Sequence, residues 1–340
     1  MKILFVGNHN PHFIALPEYI EHAIVLLGHK LCIFDDRKCL IPETISTRLP
    51  FLRNWELRKI NSNLLAKVKS FKPDICLINS LYRIKPEIIR QIKDQGIKTG
   101  FIITDFPWEP QKITAEAINY DFVFYGGTEV EEILETAKFK NSHWSPFACD
   151  EKVHKPVCLT EKEYQEYSSD IAFVGTVSAE IYPQRVELLE KISDLNLKVW
   201  GPGTNEILKT SPLKKNIHGQ HVRPAEWLKI YAATKIGLCI HFKDPKRQKP
   251  CYQASPRVFE LLACKCFVLV DEQADVRKIF KDGKHLVVFK DLNDLRNKID
   301  YYLVHDQERK EIAESGFQEV ISKHTYVHRL KEIFSIMQGK

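Results

Sequence analysis

The sequence predicts an α/β protein of two doubly wound parallel-sheet domains in series, facing a cleft. Three observations carry this. Short, nearly continuous apolar runs recur along the chain, separated by amphipathic stretches of helical length. The 340 residues are long for one domain and suit two. A polar, tyrosine-rich stretch at 151–169 interrupts the alternation near the middle.

Residues 2–6 (KILFV) read as a buried parallel strand. A helix over 17–27 follows, with Pro17 in its first turn and Gly28 just past its end. Strands are expected at 31–34, 75–79, 100–104, 121–125 and near His143, with helices ending at Phe71 and Gly96 and another over 128–138. The second half repeats the pattern with strands at 171–175, 197–201, 236–242, 267–270 and 286–289. Residues 291–338 read as two or three consecutive helices. The expected organisation is a first domain over 1–150, a linker over 151–169 and a second domain over 170–325. A C-terminal helix within 326–340 would pack back on the first domain.

Composition is that of an ordinary soluble protein, 44% hydrophobic and 28% charged. The opening apolar run is broken by Gly7 and Asn8 and is too short for a signal peptide. No apolar stretch approaches the roughly 20 residues that cross a bilayer, so a cytoplasmic location is expected. The nine cysteines are scattered, and the one close pair, Cys264 and Cys266, has no second cluster. Reduced thiols and no metal site are expected. A net charge of +6 suits anionic ligands such as phosphates, or a weak attraction to a membrane surface. It falls short of the basic stripe of a nucleic-acid binder.

In doubly wound sheets ligands bind beyond the carboxyl ends of the strands. The segment SPRVFELLACKCFVLVDE (255–272) is the most informative of these ends. Ser255 is a good N-cap and Pro256 a good first helical residue, so a helix starts here with open amides and a positive dipole end. Arg257 in the first turn could fork onto phosphate oxygens. Glu260, one turn on, could accept both hydroxyls of a ribose. The plain alternative is a capped helix with an Arg257–Glu260 surface pair. Just upstream, HFKDPKRQKP (241–250) places Lys243, Lys246, Arg247 and Lys249 after a buried strand, where cations would stabilise a departing diphosphate. A solvated charged loop is the alternative. Gly175 and Thr176 in FVGTVS, and the turn VWGPGTN, could let backbone approach a diphosphate, or could be simple tight turns.

In the first domain, VGNHNPHF (6–13) offers Asn8, His9 and His12 to an acceptor, or as structural loop residues. TDFPWEP (104–110) brings Asp105 towards the cleft, with Phe106 and Trp108 able to stack on a sugar ring; a core-flanking turn is the alternative. No HExxH, GxSxG, GKS/GKT or paired CxxC motif occurs. Zinc-protease, serine-hydrolase and P-loop readings therefore lack their usual support.

With these segments in place, the chain resembles the CgeB-like branch of group-1 glycosyltransferases over most of residues 100–330. SPRVFELLACKCFVLVDE is similar to that family's R-x-FE-x-LA-C-G helix and following strand. Residues 282–329 resemble its tail, ending in HTY-x-HR, and IAFVGTVSAEIYPQR (171–185) resembles its FVG…R opening of the second domain. YDFVFYGGTEVEEILE, WSPFACDEKVHKP and IGLCIHF also fit.

The resemblance implies the GT-B fold of two Rossmann-like domains. It implies a nucleoside-diphosphate-sugar donor in the second domain, a UDP-sugar for preference, and an unknown glycan, protein, lipid or small-molecule acceptor mainly on the first. Glu260 would hold the donor ribose. Ser255 and Arg257 would lie near the diphosphate, with Gly175–Thr176 on its other side. His221 and Val222 would border the base. Lys243 and Arg247 would help stabilise the leaving diphosphate, Asp105 and His9 would activate the acceptor, and no metal or other cofactor would be needed. A hexosyl transfer with retention is the expected reaction. A nucleotide-sugar epimerase and a non-catalytic nucleotide-sugar sensor remain alternatives.

Three departures stand out. Tyr252 occupies the position, eight before Glu260, where related enzymes often carry a glutamate. Lys265 replaces the glycine after the alanine–cysteine pair, and only Asp105 remains of a double-acid DDP.

Overall fold

Two six-stranded sheets, all of whose pairings are parallel, organise the protein. The structure is a computed structural model. It describes all residues except 11–14, 38–48, 81–82, 204–210, 221, 247 and 340. Two compact units contain one sheet each: Met1–Pro146 with Tyr326–Lys340, and Phe147–Thr325.

In the first unit the strands are β1 (Lys2–Gly7), β2 (Lys30–Asp35), β3 (Ile75–Ile78), β4 (Lys98–Ile103), β5 (Phe122–Tyr125) and β6 (Ser142–Trp144), ordered β2-β1-β3-β4-β5-β6. Order reverses between β1 and β3, so the switch point lies there. Ile3 to Val6 and Ile75 to Ile78 are wholly buried, because helices cover both faces. The helices are α1 (Leu16–Leu26), α2 (Pro50–Phe71), α3 (Pro86–Lys93), α4 (Pro110–Ala117) and α5 (Glu131–Thr136). The helix expected over 128–138 is a 3-10 turn (Thr128–Val130) leading into α5.

The second unit carries β7 (Ser169–Val174), β8 (Leu197–Trp200), β9 (Ile217–Gly219), β10 (Thr234–Cys239), β11 (Val268–Asp271) and β12 (Val287–Phe289), ordered β12-β11-β10-β7-β8-β9. Its switch point lies between β7 and β10. Its helices are α6 (Glu161–Tyr167), α7 (Pro183–Lys191), α8 (Pro224–Ala233), α9 (Pro256–Ala263), α10 (Ala274–Ile279), α11 (Leu292–Val304) and α12 (Asp306–Lys323). The 151–169 stretch belongs to this unit. Its helix α6 opens on a capping box: the Glu163 amide donates to Thr160 Oγ1 at 3.3 Å and the Thr160 amide to Glu163 Oε2 at 2.9 Å. Lys229 of α8 pairs with Glu163 at 2.6 Å.

A last helix, α13 (Tyr326–Gln338), is part of the first unit. Tyr326 stacks on Tyr19 of α1, and Lys98 Nζ donates to the Met337 carbonyl at 2.7 Å. Proline in the first turn starts α2, α3, α4, α7, α8 and α9, where a missing N–H costs nothing. No helix among the described residues is long and apolar enough to cross a membrane.

Candidate functional site

The carboxyl edge of the second sheet gathers its chemistry at the β7/β10 switch point. Two glycine turns meet there. A Cβ on Gly201 would lie 1.9 Å from the Gly175 carbonyl oxygen, and one on Gly203 would lie 2.4 Å from that of Val177. Both glycines also have positive φ, +146° and +85°, so no other residue suits either place. The Gly175 amide donates to the Trp200 carbonyl at 2.9 Å and the Val177 amide to that of Pro202 at 2.8 Å. Arg185 of α7 locks this turn across the switch point. Its guanidinium donates to the Thr176 carbonyl at 2.9 Å and to the Ile240 carbonyl, just past β10, at 2.8 Å. The Tyr182 ring centroid lies 3.8 Å from the guanidinium carbon.

Beyond β10 the chain makes a second polar knot. The His241 backbone N–H donates to Asp271 Oδ1 at 2.9 Å, and His241 Nδ1 lies 2.6 Å from the same oxygen. Lys243 Nζ is 3.5 Å from Asp271 Oδ2. Burial alone would raise the Asp271 carboxyl, but His241 and Lys243 outweigh it and hold it below the usual range. Lys243 therefore stands half-exposed beside a carboxylate. The cationic loop that follows is wound around Asp244, whose carboxylate accepts the amides of Lys246, Gln248 and Lys249, each at 3.0 Å. Arg247 lies outside the described residues.

Helix α9 starts from this loop. Ser255 caps it, accepting the Arg257 amide at 3.3 Å, and the Val258 amide donates to the Ser255 carbonyl at 3.0 Å. The first turn thus retains its dipole but has fewer open amides than its sequence suggests, because its own cap takes them. Arg257 pairs with Glu260 at 2.8 Å, and its guanidinium carbon lies 5.6 Å from the Trp227 ring centroid. Glu260 is buried. On its other side His154 Nε2 lies 3.9 Å away. The Asp150 amide donates to His154 Nδ1 at 2.8 Å, which leaves the proton on Nε2, facing Glu260. Burial lowers the His154 pKa, Glu260 opposing. The Arg257–Glu260 pair is thus a half-buried unit held among Trp227 and His154. Val222 precedes α8, the helix that carries Trp227, and His221 lies outside the described residues.

Helix α9 stops at Ala263 with Cys264 as its cap, and Lys265 just beyond has a left-handed φ of +59°. The Cys266 amide donates to the Leu261 carbonyl at 3.1 Å and the Lys265 amide to that of Leu262 at 2.9 Å. This is a Schellman ending, which explains why a glycine suits the position and shows that the lysine keeps the same backbone at some strain.

The first sheet's carboxyl edge is acidic. His9, after β1, meets Glu21 of α1 at 2.6 Å and lies 3.9 Å from Asp35. Asn8 sits between Gly7 and His9, partly buried, and His12 lies outside the described residues. Asp36 is buried after β2, bonded to Ser80 and 3.7 Å from Arg83. Burial raises Glu21 and Asp36. Asp105, after β4, has an exposed side chain, yet the protein around it raises its carboxyl, Arg37 opposing. Trp108 is half-exposed and meets Phe106 edge to face at 5.0 Å. Among the described residues no cluster of three or more metal-type ligands occurs. Sequence reasoning left Arg185, His241 and Asp271 without roles; His241 and Asp271 stand at or beside a strand end, whereas Arg185 reaches the switch point from α7.

A glycosyl transferase-like family model matches residues 184–335. The chain is 21% identical over 280 residues to the spore protein CgeB of Bacillus subtilis (strain 168), covering 79% of this chain and 84% of that protein. Among solved structures, sucrose-phosphate synthase from Thermosynechococcus elongatus is similar over 99% of both chains, with a TM-score of 0.73 and 12% identity. The Anabaena protein Alr3699/HepE, solved in complex with UDP-glucose, is similar over 100% of both chains, with a TM-score of 0.70 and 10% identity. A glycosyltransferase from Rickettsia africae follows over 99% of this chain and 98% of that one, with a TM-score of 0.68 and 15% identity. Fold and family match together define a glycosyltransferase with the GT-B architecture. Within that class the chain is similar to the CgeB-like group-1 glycosyltransferases.

Proposed function

We propose that the protein transfers a hexose-type sugar from a nucleoside-diphosphate sugar, a UDP-sugar for preference, to a hydroxyl-bearing acceptor. Transfer proceeds with retention and without a metal. One observation carries the donor assignment: the second sheet's carboxyl edge carries both a glycine turn stapled by Arg185 and, after the loop that follows β10, the capped start of α9, where Arg257 and buried Glu260 form one unit. A neighbour of the same fold solved with UDP-glucose supports the choice of donor.

Arg257, the α9 dipole and Lys243 lie against the diphosphate and offset its charge, about two to three negative on departure. Glu260 accepts from the ribose hydroxyls. The Gly175–Thr176 turn and Ser255 flank the phosphates, and Val222 with His221 borders the base. Arg247 adds to the cationic wall. On the first unit Asp105 and His9 serve the acceptor hydroxyl, with Asn8, His12 and Trp108 as its contacts. Retention rests on resemblance to other group-1 enzymes.

The test is a melting panel of UDP, UDP-glucose, GDP and their sugar conjugates, with and without EDTA. A ligand at about 100 times its Kd stabilises by about 2.7 kcal/mol. Arg257→Ala and Glu260→Ala are each expected to weaken UDP binding about 10- to 100-fold. No shift with any nucleotide sinks the donor site. Normal binding by both variants moves it elsewhere. Loss of the shift in EDTA refutes metal independence.

A further inference from the structure

Helix α2 has a face that glycosyl transfer leaves unused. Its buried side is set by Ile60, Leu64 and Val68, spaced four residues apart and packed into the first unit's core. On the opposite side Phe51 and Trp55, one turn apart, are 66% and 49% exposed, and Leu49 just ahead is 40% exposed. Arg58, Lys59 and Lys69 are exposed on that same side. Lys59 Nζ lies 5.5 Å from the Trp55 ring centroid, so cation and ring are presented together. The helix holds five Lys and Arg against a single acid, Glu56, which is buried. Five minus one leaves +4 on 22 residues, against +6 for the whole chain.

We propose that this face of α2 docks on an anionic lipid bilayer surface. The charge is complementary to anionic headgroups. Long cationic stems let Arg58 and Lys59 reach headgroup phosphates while the aromatic rings enter the boundary with the acyl chains. Two protruding aromatics suit a soft apolar layer that moulds around them. A rigid acidic protein surface needs a matching pocket for each ring, and a nucleic acid gains nothing from Leu49 and Phe51.

The experiment is co-sedimentation of the full chain with vesicles of phosphatidylcholine alone and of phosphatidylcholine mixed with phosphatidylglycerol. Binding to the mixed vesicles only is expected, weakening steeply as salt shortens the screening length. Replacing Arg58, Lys59 and Lys69 together by Gln should weaken it about a hundredfold, on the order of fivefold per charge. The Phe51→Ser/Trp55→Ser pair should abolish binding, whereas Trp55→Phe should keep it. All three variants should melt like the parent, since the altered side chains are exposed. Absence of vesicle binding, equal binding to neutral vesicles, or unchanged binding by the aromatic pair overturns the proposal. Capture by heparin without vesicle binding does so too.

Discussion

The carboxyl edges of the two sheets both belong to all-parallel, doubly wound units, but differ in strand order and in electrical character. In the second unit, carbonyl groups, glycine turns and paired cations surround the switch point, and Arg185 fastens its two sides. The carboxylates there are tied down, Glu260 by Arg257 and Asp271 by His241 and Lys243. In the first unit, Glu21, Asp35, Asp36 and Asp105 line the carboxyl edge, and burial raises Glu21 and Asp36. A diphosphate fits the first description and is repelled by the second. Hydroxyl groups that donate hydrogen bonds or give up a proton fit the acidic edge. Under the proposed function, the donor and acceptor sides would differ in the sign of their loops.

Breaking the staple gives the largest expected effect. Arg185→Met strands two carbonyl groups at the switch point and should cost about 3 kcal/mol in denaturant unfolding, with a matching loss of nucleotide affinity. Arg185→Lys should recover less than half of this, because an ammonium cannot span both carbonyls as the planar fork does. A Lys variant with parental stability would show that the turn holds itself.

Acid–base behaviour sharpens the contrast next. In the first unit, burial raises Glu116 to about 7, with Tyr120 opposing. Its folded pKa exceeds its unfolded value, so its contribution is present at acid pH and lost as pH rises from about 4.3 to about 7. Glu116→Gln should therefore stabilise by about 2 kcal/mol at pH 8 and change little at pH 4, read from unfolding at both. Asp271 behaves oppositely. Its folded pKa is lowered, so its stabilisation is present above about pH 4 and lost below it. Asp271→Asn should flatten the acid arm of the second unit's stability curve. Equal pH profiles in parent and variant would remove Asp271 from this account.

The smallest change probes the departure at α9. Lys265→Gly should raise stability by about 1 kcal/mol by relieving its left-handed backbone. Its ion pair with Glu314 is exposed and offsets little of this. A melting temperature that falls would mean the lysine side chain matters more than its backbone.

Much of this was legible in the chain alone. Parallel strands buried on both faces must be apolar throughout, so KILFV, ICLI and FVLV announce themselves. Proline at helix starts marks boundaries to within a residue or two, as at Pro183 and Pro256. Ser255 as a cap followed from local chemistry and is seen as one. The pairings around it were not legible. Arg185 reaches Ile240, 55 residues away, and His241 reaches Asp271, 30 residues away. Arg185 did leave a trace: it follows Pro183 beside Val186 and Leu189, which are buried, so its side chain starts near the core. Asp271 likewise closes a wholly buried strand.

The sequence by itself determined the alternation of strands and helices, the glycine turns and the start of α9, because these depend on side-chain period and on backbone freedom within a few residues. Only the tertiary structure decided which polar groups meet. It commits Lys243 to Asp271, winds the cationic loop around Asp244, spends the first amides of α9 on their own cap and makes Arg185 a clasp. Those choices depend on strand order, which brings distant loops to one switch point, and local pattern carries no record of it.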